Sequence, residues 1–165
     1  MDQLGRSGGP EPALIDLSNL LPNETIIQAH TELFTSFLVT SLGNLYAFGY
    51  CFDGICGELT SFVPIATRIP TNLFVTRIFL GVWVIFLQDE NNNTYVMGNN
   101  AYGQLCFPVA KTINSPKLIS LPNISAIAAS TIHSVFISNS KAYACGDNHL
   151  YKFGNFEPAI YESPV

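Results

Sequence analysis

Three histidines and four cysteines are the residues of this chain best suited to chemistry. A histidine acts as a general base when a partner orients it, and a cysteine becomes a nucleophile when a base lies close. His30 and His149 lie at strand and linker positions and show no spaced acidic partner. Cys145 precedes Gly146 inside a predicted strand, which favours packing in the core. The sequence therefore predicts no catalytic residue.

The four cysteines do not have the spacing of a metal site. Cys51 and Cys56 are separated by four residues, while Cys106 and Cys145 stand alone. A structural zinc site needs a second pair of close ligands, and none follows. Buried cysteines usually behave as small apolar residues. We therefore expect four reduced, mostly buried thiols and no metal.

Two further patterns resemble ligand sites only in part. Gly49 and Gly54, like Gly98 and Gly103, have the glycine spacing of a phosphate loop, but no Lys-Ser/Thr pair and no helix follow. Asp89-Glu90 precedes three asparagines, yet the spaced oxygen ligands of a calcium loop are missing. A solvated hairpin tip is the predicted role of this acidic pair, and no cofactor is expected.

Composition points to strands and turns. Charged residues make up 12% of the chain, about half the usual share, so long solvated helices are not expected. The net charge of −5 and the lack of a basic run argue against nucleic acid as a partner. The longest apolar run, Ile78–Leu87, is too short for a membrane helix and is predicted to form two strands broken near Gly81. The polar N-terminus carries no secretory signal, so we expect an intracellular location, cytoplasmic or nuclear.

A Tyr-x-x-Gly unit occurs three times, about fifty residues apart, and predicts an internal repeat. The three units begin and end at Tyr46 and Gly49, Tyr95 and Gly98, and Tyr143 and Gly146. Glycines recur at fixed offsets after each unit, at Gly54 and Gly57, at Gly103, and at Gly154. Proline-led apolar segments recur as well, and each is predicted to open a repeat. Four short strands fit in each unit, which is the pattern of a propeller blade.

The predicted fold is therefore all-β. Residues 1–10 are expected to be a disordered leader, and 11–165 a single repeat domain. The repeats span about 11–62, 63–114 and 115–156, and 157–165 is read as the first strand of a fourth. This gives a partial β-propeller of about three four-stranded antiparallel blades, an open arc with two apolar end faces exposed.

The segment Asn99-Asn100-Ala101-Tyr102-Gly103-Gln104-Leu105, after a strand that ends in Gly98, resembles the repeat of the regulator of chromosome condensation family. Ala128–Ser134 matches the alanine-rich strand and His-Ser of that repeat, and the resemblance covers about residues 11–161. Thr35 and Trp83 stand at the place of His133, and Cys106 replaces the last glycine. The resemblance implies a β-propeller and a structural hydrogen-bonding role for His133. It also implies guanine-nucleotide exchange on a Ran-like small GTPase, an activity of some members.

Three functions remain open from the sequence. The first is a non-catalytic protein–protein interaction module, because loops of unequal length decorate a repeat scaffold. The second is a guanine-nucleotide exchange factor, or part of one. The third is a structural or degenerate fragment with no independent role, part of a longer propeller or associated with itself through its exposed blade faces.

Overall fold

This computed structural model describes residues 14–59, 61–154 and 157–165. All regular secondary structure in these ranges is β-strand. The predicted leader, 1–10, lies outside these ranges. In chain order the strands are β1 Ile26–Glu32, β2 Thr35–Thr40, β3 Leu45–Cys51, β4 Ser61–Ile69, β5 Val75–Gly81, β6 Val84–Asp89, β7 Thr94–Asn100, β8 Ala110–Leu118, β9 Ile124–Ala129, β10 His133–Ser138, β11 Lys141–Asp147 and β12 Ile160–Tyr161.

The strands form three sheets of four, each built from successive antiparallel strands in the orders β1–β4, β5–β8 and β9–β12. We call these sheets blades one, two and three. The first strands of the blades, β1, β5 and β9, contact one another in that order. This confirms the predicted all-β fold, with four-stranded antiparallel blades in an open arc.

The proline-led strands belong to the blade before the one they were predicted to open. Pro64 lies in β4, which pairs with β3, and Pro116 lies in β8, which pairs with β7. Likewise β12, predicted as the start of a fourth blade, pairs with β11. These are edge strands, where a missing N–H is tolerated. Residues 14 and 15, at the predicted start of the first repeat, are not in a strand.

Apolar side chains fill the spaces between neighbouring blades. Phe37 and Met97 are fully buried in the core between blades one and two, and Phe86 and Phe136 in the core between blades two and three. The inner strands approach so closely that a Cβ on Gly81 would lie 2.5 Å from that of Ala129. Small residues in β9 therefore permit the stacking. No helix in the described ranges could cross a membrane, and Ile78–Leu87 forms β5, a turn and β6.

The two ends of the arc differ, so the prediction of two exposed apolar faces was wrong for blade one. Leu17 and Leu20 pack over a buried cluster on its outer face, which includes Tyr46 and Phe48. On blade three, Ile137 remains 37% exposed and Leu150 80% exposed. The chain that precedes β1 thus covers one end, while the other stays open.

Glu24 fastens that covering segment to blade one. Its carboxylate accepts hydrogen bonds from Tyr46 Oη at 2.6 Å, Thr40 Oγ1 at 2.7 Å, Asn44 Nδ2 at 2.5 Å and the Leu21 N–H at 2.7 Å. Burial alone would raise the pKa of this carboxyl, but the hydrogen bonds outweigh burial and lower the pKa to about 2.

Acid is expected to weaken this attachment. Since the folded pKa lies below the ordinary 4.5, the stability that Glu24 contributes is present above that value and is lost as the pH falls toward 2. We expect Glu24→Gln to cost about 1–2 kcal/mol at pH 7 and almost nothing at pH 2, because hydrogen bonds to a charged group are worth that much. Urea unfolding at both pH values measures this. An equal cost at both would contradict it.

Candidate interaction surface

The glycine of each Tyr-x-x-Gly unit lies against a backbone carbonyl. A Cβ on Gly49, Gly98 or Gly146 would lie 2.3, 2.3 or 2.4 Å from the carbonyl oxygen of Phe34, Trp83 or Ile132, respectively. These carbonyls end the turn between the first two strands of each blade, and each accepts a hydrogen bond from the residue after the glycine. The glycines also have φ of +105°, +118° and +105°, which side chains disfavour. The motif is thus a joint within the blade.

The three tyrosines of the motif have structural surroundings. Tyr46 is fully buried and donates to Glu24. Tyr95 donates to Asp89 Oδ2 at 3.3 Å, and Tyr143 packs against the core between blades two and three. Asp89 Oδ1 also accepts the N–H groups of Asn91 and Asn93, so Asp89 closes the β6–β7 hairpin, while Glu90 is exposed at its tip.

The linkers that follow β3 and β7, the third strands of blades one and two, pack on the next blade. A Cβ on Gly54 or Gly57 would meet Asn114 of β8, and one on Gly103 would lie 3.3 Å from Ile160 of β12. Gln104 and Leu105 are fully buried, and Gln104 Nε2 donates to the Thr131 carbonyl of blade three at 3.0 Å. Among the described residues, no atom lies within 4 Å of the Cβ position of Gly154. The third linker therefore lies on the open end of the arc.

A side chain ties each linker into a loop. Asn100 Oδ1 accepts the Leu105 N–H at 3.0 Å, and Asn148 Oδ1 accepts the Phe153 N–H at 2.8 Å. In blade one the same two positions after the motif glycine are Cys51 and Cys56, which form a disulfide. The prediction of four reduced thiols was therefore wrong here. The spacing of this pair fits a covalent tie where the other blades use asparagine.

This equivalence gives a testable exchange. Replacing the pair with the residues of blade two, Cys51→Asn with Cys56→Leu, should supply the asparagine hydrogen bond in place of the disulfide. Because the disulfide closes only a short loop, we expect the exchange to cost less than about 2 kcal/mol under oxidising conditions and to raise stability in reductant. Urea unfolding with and without reductant measures this, and Cys51→Ala with Cys56→Ala is the control without a tie. The equivalence fails if the exchange is no more stable than that control.

A second disulfide joins Cys106 to Cys145 and corrects the thiol prediction again. Cys106 lies in the linker of blade two, and Cys145 lies in β11 of blade three. They are 39 residues apart, and only the stacking of the blades brings them together. No free cysteine is left among the described residues.

His133 lies at the start of β10 and shares a hydrogen bond with Ser130, with Nδ1 and Oγ 2.7 Å apart. Ser130 Oγ also accepts the Ile132 and His133 N–H groups of the same turn. Burial, and then the charge of Lys152, lower the pKa of His133, while Asp147 opposes them. Thr35 and Val84 pair with the motif glycines as His133 does, so Trp83 was placed one residue out of register.

His149 does have an acidic partner, contrary to the prediction. Its Nδ1 lies 2.9 Å from Asp147 Oδ1, which also lies 3.3 Å from Lys152 Nζ. The His149 N–H lowers the pKa of Asp147 most, with smaller effects from the His149 and Lys152 side chains. His30 Nε2 lies 3.3 Å from Gln28 Oε1, and burial lowers its pKa. Within the described ranges, no three His, Cys, Asp or Glu residues are grouped to hold a metal.

Five aromatic side chains meet where blades one and two adjoin, at the edge that carries the β1–β2 turn and the linker. We call Phe34, Tyr50, Phe52, Phe62 and Trp83 the aromatic cluster. Ring centroids are 5.3–6.2 Å apart in the contacts Tyr50–Phe52, Tyr50–Phe62, Phe34–Trp83 and Phe52–Trp83. Phe52 is 44% exposed and Phe62 41% exposed. Beside Phe52 lies a cleft of about 340 Å³, lined in part by Asp53, Ser61 and Lys111.

Glu32 ends β1 next to this cluster. Its side chain is buried, yet neither carboxyl oxygen has a well-formed hydrogen bond to any described residue. Burial raises the pKa of Glu32, and the nearby backbone N–H of Trp83 lowers it by a smaller amount. Sequence reasoning missed Glu32 and the aromatic cluster, because their members come from separate turns and linkers. Asn100 and Asn148 were missed although their equal offsets from Gly98 and Gly146 could have revealed them.

No protein-family model matches the sequence, and no curated protein matches it significantly. Solved structures do resemble it. The yeast RCC1 (Prp20) bound to Kap60 shares 18% identity and a TM-score of 0.75, over 88% of this chain and 38% of that one. Human WBSCR16 shares 14% identity and a TM-score of 0.76, over 99% of this chain and 44% of that one.

A second structure of Prp20p, from Saccharomyces cerevisiae, was described together with its binding to Gsp1p and histones. It shares 19% identity and a TM-score of 0.76, over 89% of this chain and 40% of that one. The chain thus spans less than half the length of each of these proteins. At such identities the likeness concerns architecture, and together with the repeated Tyr-x-x-Gly joints and linkers it shows that this chain has the β-propeller repeat fold of the RCC1 type.

Proposed function

We propose that this chain is a non-catalytic protein–protein interaction module of the chromosome-condensation-regulator repeat type. The observation that supports it is the aromatic cluster, in which Phe52 and Phe62 stay more than 40% exposed on a rigid pair of blades. Aromatic residues are enriched at protein interfaces and dominate their binding energy. With a net charge of −5, the chain is better suited to a protein partner than to nucleic acid or a membrane surface.

The proposal is tested by affinity capture with the folded chain and two surface variants. Phe52→Ser removes an aromatic ring from the cluster. Phe74→Ser removes a ring of similar exposure, 46%, that lies against Gly43 at the opposite edge of the blades. We expect a partner that is retained by the chain and by Phe74→Ser but lost from Phe52→Ser. The proposal fails if the folded chain retains no partner, or if both variants retain the same one.

Guanine-nucleotide exchange on a small GTPase is the second candidate. Its support is the likeness of the fold to Prp20p, whose structure was described with its binding to Gsp1p. Exchange factors of this kind distort the nucleotide site of the GTPase with a protein surface, so no catalytic side chain need be present. The test is release of labelled GDP from a Ran-like GTPase with and without this chain. An unchanged release rate rules the candidate out.

We also propose that blade three stacks on a further blade, from a longer chain or from another copy. The supporting observation is that no described residue lies within 4 Å of the Cβ position of Gly154, while Gly54 and Gly103 lie against the next blade. Solution mass of the purified chain measures self-association, and a strict monomer at high concentration contradicts it. We further propose a cytoplasmic or nuclear location, where the two disulfides would face a reducing environment. Imaging of a tagged chain tests this, and a secreted chain contradicts it.

A further inference from the structure

Glu32 is a buried acid that the fold leaves without a partner. It supplies two of the three buried side-chain oxygen or nitrogen atoms that lack a hydrogen bond in the part of the chain described here. Both ion pairs of that part belong to Asp147, so no cation of the described ranges forms an ion pair with Glu32. A buried carboxyl without a hydrogen bond is costly. Such a group calls for an explanation beyond packing.

The other blades show that the blade does not need this carboxyl. Glu32 pairs with Thr35 across the β1–β2 turn, as Gly81 pairs with Val84 in blade two. In blade three the same position is Ser130, which bonds His133. Blade two thus has no side chain here, and blade three has one that is satisfied. Only blade one of these three presents an unsatisfied charge-bearing group.

The turn that follows Glu32 brings it beside aromatic rings. Phe34, two residues on, lies 5.9 Å from Trp83 between ring centroids, and Trp83 lies 6.2 Å from Phe52. The backbone N–H of Trp83 lies near the Glu32 carboxyl. Trp83 has a φ of +62°, which is uncommon for a bulky residue and often marks a functional position. The Trp83 turn therefore links the acid to the aromatic rings at the junction of blades one and two.

We propose that Glu32, Phe34, Phe52 and Trp83 form a binding site for an arginine side chain of the protein partner. The inference rests on the proposed interaction function and names the chemistry of its site. A guanidinium is planar, stacks on aromatic faces and presents a fork of donors that suits a carboxylate. Because both Glu32 oxygens are buried, binding would require the residues that cover them to move aside, and the guanidinium would then supply the donors that Glu32 lacks. The net charge of −5 favours approach of a basic partner.

The chain offers its own reporter, because Trp83 is its one tryptophan. The probes are N-acetyl-arginine amide and N-acetyl-citrulline amide, which have similar shape but differ in charge. We expect a saturable change of Trp83 fluorescence with the arginine probe. Binding of the citrulline probe should be at least about tenfold weaker, because the charge-assisted hydrogen bonds are lost. An equal response to both probes, or none to either, overturns the proposal.

Variants test the roles of the residues. Glu32→Gln should weaken the arginine probe about tenfold or more, while Glu90→Gln, which removes an exposed carboxylate from the β6–β7 hairpin, should leave it unchanged. If Glu32→Gln does not fold, Phe52→Ala tests the same site, and about a tenfold loss is expected there too. Unchanged binding in whichever folded variant is used overturns the proposal.

Failure of the site can be told apart from failure of the interaction function. A partner that is lost from Phe52→Ser but binds Glu32→Gln as tightly as the unchanged chain shows an aromatic interface without an arginine site. That result overturns this inference and leaves the proposed function standing. A partner weakened about tenfold or more by Glu32→Gln, and not by Glu90→Gln, supports both.

Discussion

The double variant Cys106→Gly with Cys145→Ala is expected to lose about 4 kcal/mol of unfolding free energy under oxidising conditions. The disulfide closes a loop of 39 residues and ties the linker of blade two to β11, so it restricts the unfolded chain strongly. Cys106 is replaced by glycine because it has a φ of +62°, which glycine adopts readily. The residues at the same distance after the motif glycine in the other blades, Gly57 and Gly154, have φ of +65° and +82°. The backbone of the variant is therefore unstrained.

Urea unfolding measures this loss, and the pair in blade one supplies the control. Cys51→Ala with Cys56→Ala removes a bridge between residues only five apart, for which the loop contribution is roughly 2 kcal/mol. Each variant keeps one disulfide, so reductant should lower the free energy of unfolding of both. In reductant, both variants should be as stable as the unchanged chain, apart from the direct effect of the substituted side chains. Four alkylatable thiols in the unreduced chain, or equal losses in the two variants, would contradict the expectation.

Most of the fold could be predicted because the sequence repeats. Blades of this kind reuse the same joint, so Tyr-x-x-Gly and the spaced glycines recur wherever the backbone makes the same close contact. The sequence also predicts strands over Ile124–Ala129 and His133–Ser138, and β9 and β10 have those bounds. The apolar run Ile78–Leu87 was resolved correctly into two strands, since Gly81 and the turn interrupt it.

Pairing between distant segments was beyond the sequence pattern. The strand that contains Pro64 could join either neighbouring blade, because its alternation of apolar and polar residues would be the same in both cases. Only the structure shows that it pairs with β3. Placing Trp83 at the position of His133 was a one-residue slip in register, which in a strand moves a side chain to the other face. The Cys106–Cys145 bridge depends on how blades two and three stack, which no local spacing reveals.

The candidate site was the least predictable part. Its aromatic members were not predicted to form a group, because they come from separate turns and linkers, and Phe52 and Phe62 flank a linker that packs on the next blade. Glu32 reads as an ordinary surface acid at a strand end; its burial follows from the neighbouring Trp83 turn. The hydrogen bonds of Glu24 could not be predicted either, since its partners Thr40, Asn44 and Tyr46 lie on other strands and turns.

Gly98→Ala is expected to cost about 2–6 kcal/mol of unfolding free energy. Its Cβ would lie 2.3 Å from the Trp83 carbonyl oxygen and 2.9 Å from the Val84 Cα, both backbone atoms that cannot rotate away. The φ of +118° adds strain of its own. Overpacking of this kind typically costs 1–3 kcal/mol, and the strain is of order 1–3 kcal/mol. Thermal and urea unfolding of the purified variant measure the sum.

Gly154→Ala separates the strain from the clash. Gly154 also has a positive φ, +82°, but nothing lies within 4 Å of its Cβ position, so only the strain of about 1 kcal/mol should appear. Equal losses at the two positions would show that the carbonyl contact is not what requires glycine. Because the displaced carbonyl belongs to Trp83, Gly98→Ala should also weaken the response of Trp83 fluorescence to the arginine probe, where Gly154→Ala should not. That result would show that the contact between Gly98 and the Trp83 carbonyl positions the proposed arginine site as well as stabilising the fold.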